Sequence, residues 1–259
     1  MCKITKKTGK IKKICEVNNK ARFLISSVLN LIYKTEFTDK GDVMGSIKIP
    51  IETSARHIHI SREDFEKLFG EGKELTFVKE LSQPGQYLAK ERITIAGPRG
   101  TFENVAILGP FRKETQVELS LTDTRKIGVP GVIRQSGDVK DTPGCRLIAG
   151  EKELEIDRGV IVAKRHIHMT PGDAVKMRLK DNEEVFVITQ SFDRALIYAN
   201  VVVRISWDYR LSMHVDTDEA NAFAGDDNPH GVVLKLFGGD AYDLGKWADE
   251  LLEGINRTI

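Results

Sequence analysis

The sequence predicts a mainly β protein with short helices, built on an internal duplication. Three observations carry that expectation. Short apolar runs of strand composition recur between Gly and Pro punctuation from Gly45 onward. Helical stripes are few and brief. One tetrapeptide, Arg-His-Ile-His, occurs twice, at Arg56–His59 and 109 residues later at Arg165–His168. Many short strands with few helices favour a barrel or a sandwich over a doubly wound sheet.

Residues 1–45 stand apart as a basic extension. They hold ten Lys or Arg against four Asp or Glu, in a chain whose net charge is only +1. Leu24, Val28, Leu31 and Ile32 share one helical face beside Ile25 and Leu29, which predicts a short amphipathic helix. Ser26, Ser27 and Asn30 interrupt it, and no small-residue cleavage site follows, so it makes a poor secretory signal and no membrane span. Three readings stay open: a helix docking on its own core or a dimer partner, an addressing helix for another protein, or an authentic start at Met44 with the extension a gene-model artefact.

The rest divides into a core, residues 46–235, and a tail, residues 236–259, with a helix expected at about Ala241–Leu252. Apolar and charged shares of 41% and 30% are ordinary for a soluble globular chain, and near-neutral charge gives no sign of nucleic acid. Cys2, Cys15 and Cys145 have no metal or redox spacing, and their odd count argues against a disulfide framework. A reducing, cytoplasmic setting follows, with Cys145 a structural or surface thiol.

Strands are expected at Arg92–Ile95, Val105–Leu108, Gln116–Leu121, Gly159–Val162, Val185–Ile188 and Val201–Ile205. The two Arg-His-Ile-His segments are also strands, and each turns at once into a helix. Ser61-Arg62-Glu63-Asp64 and Thr170-Pro171-Gly172-Asp173 both place a hydroxyl N-cap three residues before an acid. Phe65, Leu68 and Phe69 supply the apolar stripe in one copy, and Ala174, Val175 and Leu179 in the other.

Alternate residues of a strand share a face, so His57 and His59 project together, as do His166 and His168. Two imidazoles on one face are half of a zinc site. Alternation over Gln116–Leu121 puts Gln116, Glu118 and Ser120 on one face, which makes Glu118 a candidate third ligand or a residue of a solvated face. His214 is the unassigned histidine with apolar flanks; His230 falls in a turn and reads as surface. Gly109–Thr115 is a turn that brings Arg112 beside the Glu118 strand. The Arg112 fork suits a phosphate or carboxylate, and a surface ion pair suits it as well.

Taken together, Ser54-Ala55-Arg56-His57-Ile58-His59, Gly109-Pro110-Phe111-Arg112 leading to Thr115-Gln116-Val117-Glu118, Lys164-Arg165-His166-Ile167-His168-Met169, and His214–Asn221 resemble the PduL-type phosphotransacylases. These are the phosphate propanoyltransferases of bacterial microcompartments. The resemblance runs from about Ile49 to Gly225. It implies two pseudo-symmetric β-barrels with interleaved chain segments, roughly 56–163, and 46–55 plus 164–235. It also implies a two-zinc site, one ion on His57, His59 and Glu118 and the other on His166, His168 and His214. Arg112 falls on the family's phosphate-binding arginine, and Ser54, Lys79 and Asn221 fall on its coenzyme A contacts. A family arginine of the coenzyme pocket is Ala106 here.

The implied reaction is the interconversion of acyl-CoA (propanoyl-CoA or acetyl-CoA) and phosphate with acyl phosphate and CoA. A homodimer is expected, and because many members of that family carry an N-terminal encapsulation helix, docking of this extension on microcompartment shell proteins is one expectation for it. The competing readings are a zinc-dependent hydrolase, a cupin-like metal-binding protein recruiting Glu63, and a non-catalytic metal-dependent sensor.

Overall fold

The computed structural model describes residues 47–189, 194–223 and 229–234. The N-terminal extension with its expected helix, the helix expected at Ala241–Leu252, Cys2 and Cys15 lie outside the described residues.

In chain order the described elements are β1 (Lys48–Ser54), β2 (His57–His59), α1 (Arg62–Phe69), β3 (Phe77–Glu80), β4 (Tyr87–Gly97), β5 (Gly100–Gly109), β6 (Gln116–Glu118), α2 (Leu121–Ile127), β7 (Ile133–Arg134), β8 (Cys145–Ala149), β9 (Lys152–Ile156), β10 (Val160–Ala163), β11 (His166–Met169), α3 (Pro171–Met177), β12 (Glu184–Thr189), β13 (Ile197–Ile205), β14 (Ser212–Asp216), α4 (Thr217–Phe223) and β15 (His230–Leu234). The fold is mainly β with short helices, as the sequence predicts. Strands β1, β14, β11, β13, β12 and β15 close a barrel in that order. The other strands form a curled nine-stranded sheet, β7-β10-β6-β2-β5-β4-β8-β9, with β3 on β4.

The chain interleaves the two sheets. Strand β1 lies parallel to β14 in the barrel, and the chain then crosses to β2 in the curled sheet. Strand β10 lies parallel to β6 in the curled sheet, and the chain then crosses to β11 in the barrel. Each His-x-His strand is thus entered from the opposite sheet. The entry to β10 beside β6 needs Gly159, whose φ is +118°; a Cβ there would meet the Thr115 carbonyl oxygen at 2.5 Å.

Each sheet covers its own core. Ile58, Ile60, Phe65, Ile107 and Leu147 are buried in one, and Ile49, Ile167, Met169, Val187 and Val203 in the other. Ile58 and Ile167, the central residues of the two tetrapeptides, are both fully buried. Burying each contributes about 2–3 kcal/mol. Because strand neighbours point oppositely, that anchoring turns the flanking histidines away from the core.

Four expectations are corrected. The strand at Gln116–Leu121 stops at Glu118, because the Ser120 hydroxyl accepts from the Asp123 N–H and starts α2. Helix α4 was likewise not expected; Asp216 and Glu219 bond each other's backbone N–H at its start, a capping pair. Val175 is 77% exposed, so the apolar contacts of the α3 region rest on Ala174 and Leu179. His230 opens strand β15 and is half-buried.

Candidate active site

The two His-x-His strands place their partners by the same register. Across the antiparallel pair β2–β6, His57 faces Glu118 and His59 faces Gln116. Across the antiparallel pair β11–β14, His166 faces His214 and His168 faces Ser212. Glu118 and His214 are therefore equivalent residues, each opposite the first histidine of its motif. Two triads result, His57–His59–Glu118 and His166–His168–His214, each with donor atoms within 4.8 Å of one another.

The tautomers are set by the backbone. His57 Nδ1 lies 2.8 Å from the Ala55 carbonyl and His166 Nδ1 lies 2.8 Å from the Lys164 carbonyl, the same i−2 contact in both copies. A carbonyl only accepts, so Nδ1 carries the proton and Nε2 keeps its lone pair. His57 Nε2 is 3.2 Å from His59 Nε2 and 3.6 Å from Glu118 Oε2. The other carboxylate oxygen of Glu118 accepts from Gln116 Nε2 at 2.6 Å and the Ser136 hydroxyl at 2.9 Å, while Gln116 Oε1 accepts from the Gly137 N–H. In the second triad the Ser212 hydroxyl sits 2.9 Å from His214 Nε2, and Glu52 Oε2 lies 3.7 Å away.

Burial keeps the His59, His166 and His168 imidazoles neutral and able to ligate. It pushes His59 down to about 3, His166 to about 4 and His168 to about 2, each helped by a neighbouring histidine. Burial works against the charge of Glu118, but its surroundings, the Ser136 hydroxyl among them, hold its carboxyl below the usual range. His168 Nδ1 is fully buried with no hydrogen-bond partner among the described residues. Desolvated nitrogens around a common point fit a borderline divalent metal, whose binding would offset that cost.

A second repeated device braces the triads. Arg56 donates to the Asp123 carboxylate through Nε at 3.0 Å and Nη2 at 2.8 Å, and stacks over Phe102 at 4.3 Å. Arg165 Nη1 lies 3.2 Å from Glu219 Oε1 and stacks over Tyr198 at 5.3 Å. Each arginine thereby ties the entry of its histidine strand to the helix that follows the third triad residue. The arginine of the tetrapeptide is thus held as a brace.

Both triads open onto one cavity of about 520 Å³. Ser54, Lys79, Ala106 and Arg112 line it, while Asn221 is exposed on α4 and does not. The Arg112 guanidinium has no ion pair among the described residues, which sets aside the surface ion pair. Glu63, the acid a cupin would recruit, is on α1 and pairs with Lys67 at 2.8 Å. Cys145 is buried and its thiol pushed up to about 12 by burial, so it is inert. Sequence reasoning missed Gln116, Ser136 and Ser212 as orienting groups, and Glu52, Arg204 and Tyr209 as lining groups. The register of β2 on β6 and β11 on β14 is the signal that finds the first and third of these.

Comparison with known proteins decides the family. A family model described as phosphate propanoyltransferase matches residues 50–226. The chain belongs to the phosphate propanoyltransferase family. A protein of that name from Leptotrichia buccalis is 56% identical over 172 residues, 66% of this chain and 81% of its own length. One from Thermotoga maritima is 56% identical over 174 residues, 67% and 83% of the two chains. One from Salmonella typhimurium is 50% identical over 192 residues, 74% and 90%. The protein is an acyltransferase of the phosphotransacylase type, and its role is that of a phosphate acyltransferase. No helix among the described residues is long and apolar enough to cross a membrane.

Proposed function

We propose that this phosphotransacylase moves a short acyl group, propanoyl or acetyl, between coenzyme A and phosphate. We assign one zinc to His57, His59 and Glu118 and a second to His166, His168 and His214. Arg112 is assigned to phosphate, and Ser54, Lys79 and Asn221 to coenzyme A. The observation that carries the reading is that two register-equivalent donor triads open onto one cavity, beside a guanidinium with no acidic partner among the described residues.

Zinc, when bound with three protein ligands, supplies a Lewis acid with an open position for a carbonyl oxygen or a sulfur. The chain's own groups do the rest. The Ala55 and Lys164 carbonyls aim the Nε2 lone pairs of His57 and His166 away from the backbone. Gln116 and Ser136 fix the Glu118 carboxylate. The Arg112 fork holds two phosphate oxygens and leaves a third free to react. A new carbon–oxygen bond forms to phosphate as the thioester carbon–sulfur bond breaks; the electron pair leaves with sulfur and the phosphate proton passes to it or to water. No side-chain nucleophile is required. Acetyl and propanoyl differ by one methylene, worth about 1–3 kcal/mol of discrimination.

The same reading assigns residues 1–43 to docking on microcompartment shell proteins, with the enzyme a cytoplasmic homodimer enclosed there. It rests on the basic, amphipathic pattern of the extension and on the family. Deleting residues 1–43 is expected to leave catalysis intact and abolish co-assembly with shell proteins; loss of the soluble fold would favour a core-docking helix.

The reaction is tested by CoA release from acetyl-CoA and propanoyl-CoA with and without phosphate. Strictly phosphate-dependent release supports the reading. Phosphate-independent release would mean a zinc-dependent thioester hydrolase instead.

A further inference from the structure

Besides Arg112 and the braced Arg56, the cavity is lined by Arg204, which the family reading leaves without a role. Arg204 stands in parallel register with His168, so the two side chains share the cavity face of the barrel wall. No hydrogen bond or ion pair engages its guanidinium among the described residues. The Tyr209 ring contacts both groups, 4.2 Å from the His168 ring and 5.9 Å from the Arg204 guanidinium. At the equivalent place the first copy has Leu108, which lines the same cavity without charge.

Charge makes the difference meaningful. The first triad contains a carboxylate, Glu118; the second consists of three imidazoles. Glu52 Oε2 lies 3.7 Å from His214 Nε2 and accepts a hydrogen bond from Ser82. A divalent cation on three neutral ligands, with a guanidinium beside it, favours an anion as its next partner.

We propose that Arg204 is a second anion-binding residue of this reaction, holding the phosphoryl group of phosphate or acyl phosphate over the three-histidine triad. The inference rests on the phosphotransacylase reading above. Arg112 then engages the anion from the side of the first triad, and Tyr209 keeps the Arg204 side chain against His168.

The test uses the full-length, metal-loaded protein and its Arg204→Gln and Arg204→Lys variants, with Arg204→Met in place of the first if that does not fold. Steady-state kinetics give KM for phosphate and for acyl-CoA. Calorimetry gives the affinity for inorganic phosphate alone, and metal is counted in each sample. Removing the charge is expected to raise the phosphate KM roughly tenfold or more and to weaken calorimetric phosphate binding equally. Metal content and the acyl-CoA KM stay unchanged, and lysine restores part of the loss.

An unchanged phosphate KM would overturn the proposal. So would a rise confined to acyl-CoA, which would place the coenzyme's own phosphates on Arg204. Wild-type protein lacking phosphate-dependent CoA release would sink the transacylase reading instead, and the calorimetric comparison would still decide whether Arg204 binds phosphate.

Discussion

The two copies of the histidine unit differ least where they hold themselves together and most where they face the cavity. Both bury the central isoleucine, fix the first histidine on the carbonyl two residues back, and brace the strand with arginine on an acid of a downstream helix. Yet the third donor is Glu118 in one and His214 in the other, and the residue beside the second histidine is Leu108 in one and Arg204 in the other. Duplication supplied a scaffold that positions three donors. Divergence then changed the charge of each site while the strand register stayed the same.

The largest expected effect breaks the pair at its carboxylate. Glu118→Ala should lower activity by about three orders of magnitude and remove about one metal equivalent, measured by kinetics and elemental analysis on the same sample. An enzyme that keeps its metal would show that the triad does not ligate.

Acid should next sharpen the comparison. In chelated protein His59, His166 and His168 bind protons less readily than they do unfolded, with values near 3, 4 and 2 against an ordinary value of about 6.5. Their contribution to stability is therefore full above pH 6.5 and falls as the pH drops below it. Each histidine costs at most about 1.4 kcal/mol per pH unit in that window. Melting temperatures of the apoprotein at pH 7 and pH 5.5 measure this, and a melting temperature that rises on acidification would contradict it.

The braces should rank in a definite order. Arg56→Ala leaves the buried Asp123 carboxylate without its bidentate partner, and is expected to cost about 2–3 kcal/mol in urea denaturation. Arg165→Ala should cost less, about 1 kcal/mol, because Glu219 is only half-buried and its contact is longer. Equal costs would mean that the braces do not share strain as their geometry indicates. The most local effect falls on Ser136→Ala, which should weaken metal binding about tenfold through looser orientation of Glu118.

Much of this arrangement is legible in the chain. The repeated tetrapeptide, the period of two and the hydroxyl caps at Ser61 and Thr170 lead to two strand-to-helix units with paired imidazoles. Helix α2 was hidden because Gln116–Leu121 alternates as a strand should, although Ser120 three residues before Asp123 is a cap signal of the same kind as Ser61 and Asp64. The partner of Arg56 and the placement of Arg204 were not legible for a different reason. Asp123 is 67 residues from Arg56, and Arg204 meets the cavity only through the register of β13 on β11. Such pairings are set by sheet topology, which no local pattern encodes. Val175 shows the converse error, an apolar residue whose helix turns it to solvent.

The most direct test is a metal count on three proteins: wild type, Glu118→Ala and His214→Ala, each purified with zinc and dialysed alike. Two independent triads predict about two zinc per wild-type chain and about one in each variant. Zinc that stays at the wild-type level in His214→Ala, or a wild-type chain that binds none, would contradict a duplicated metal site.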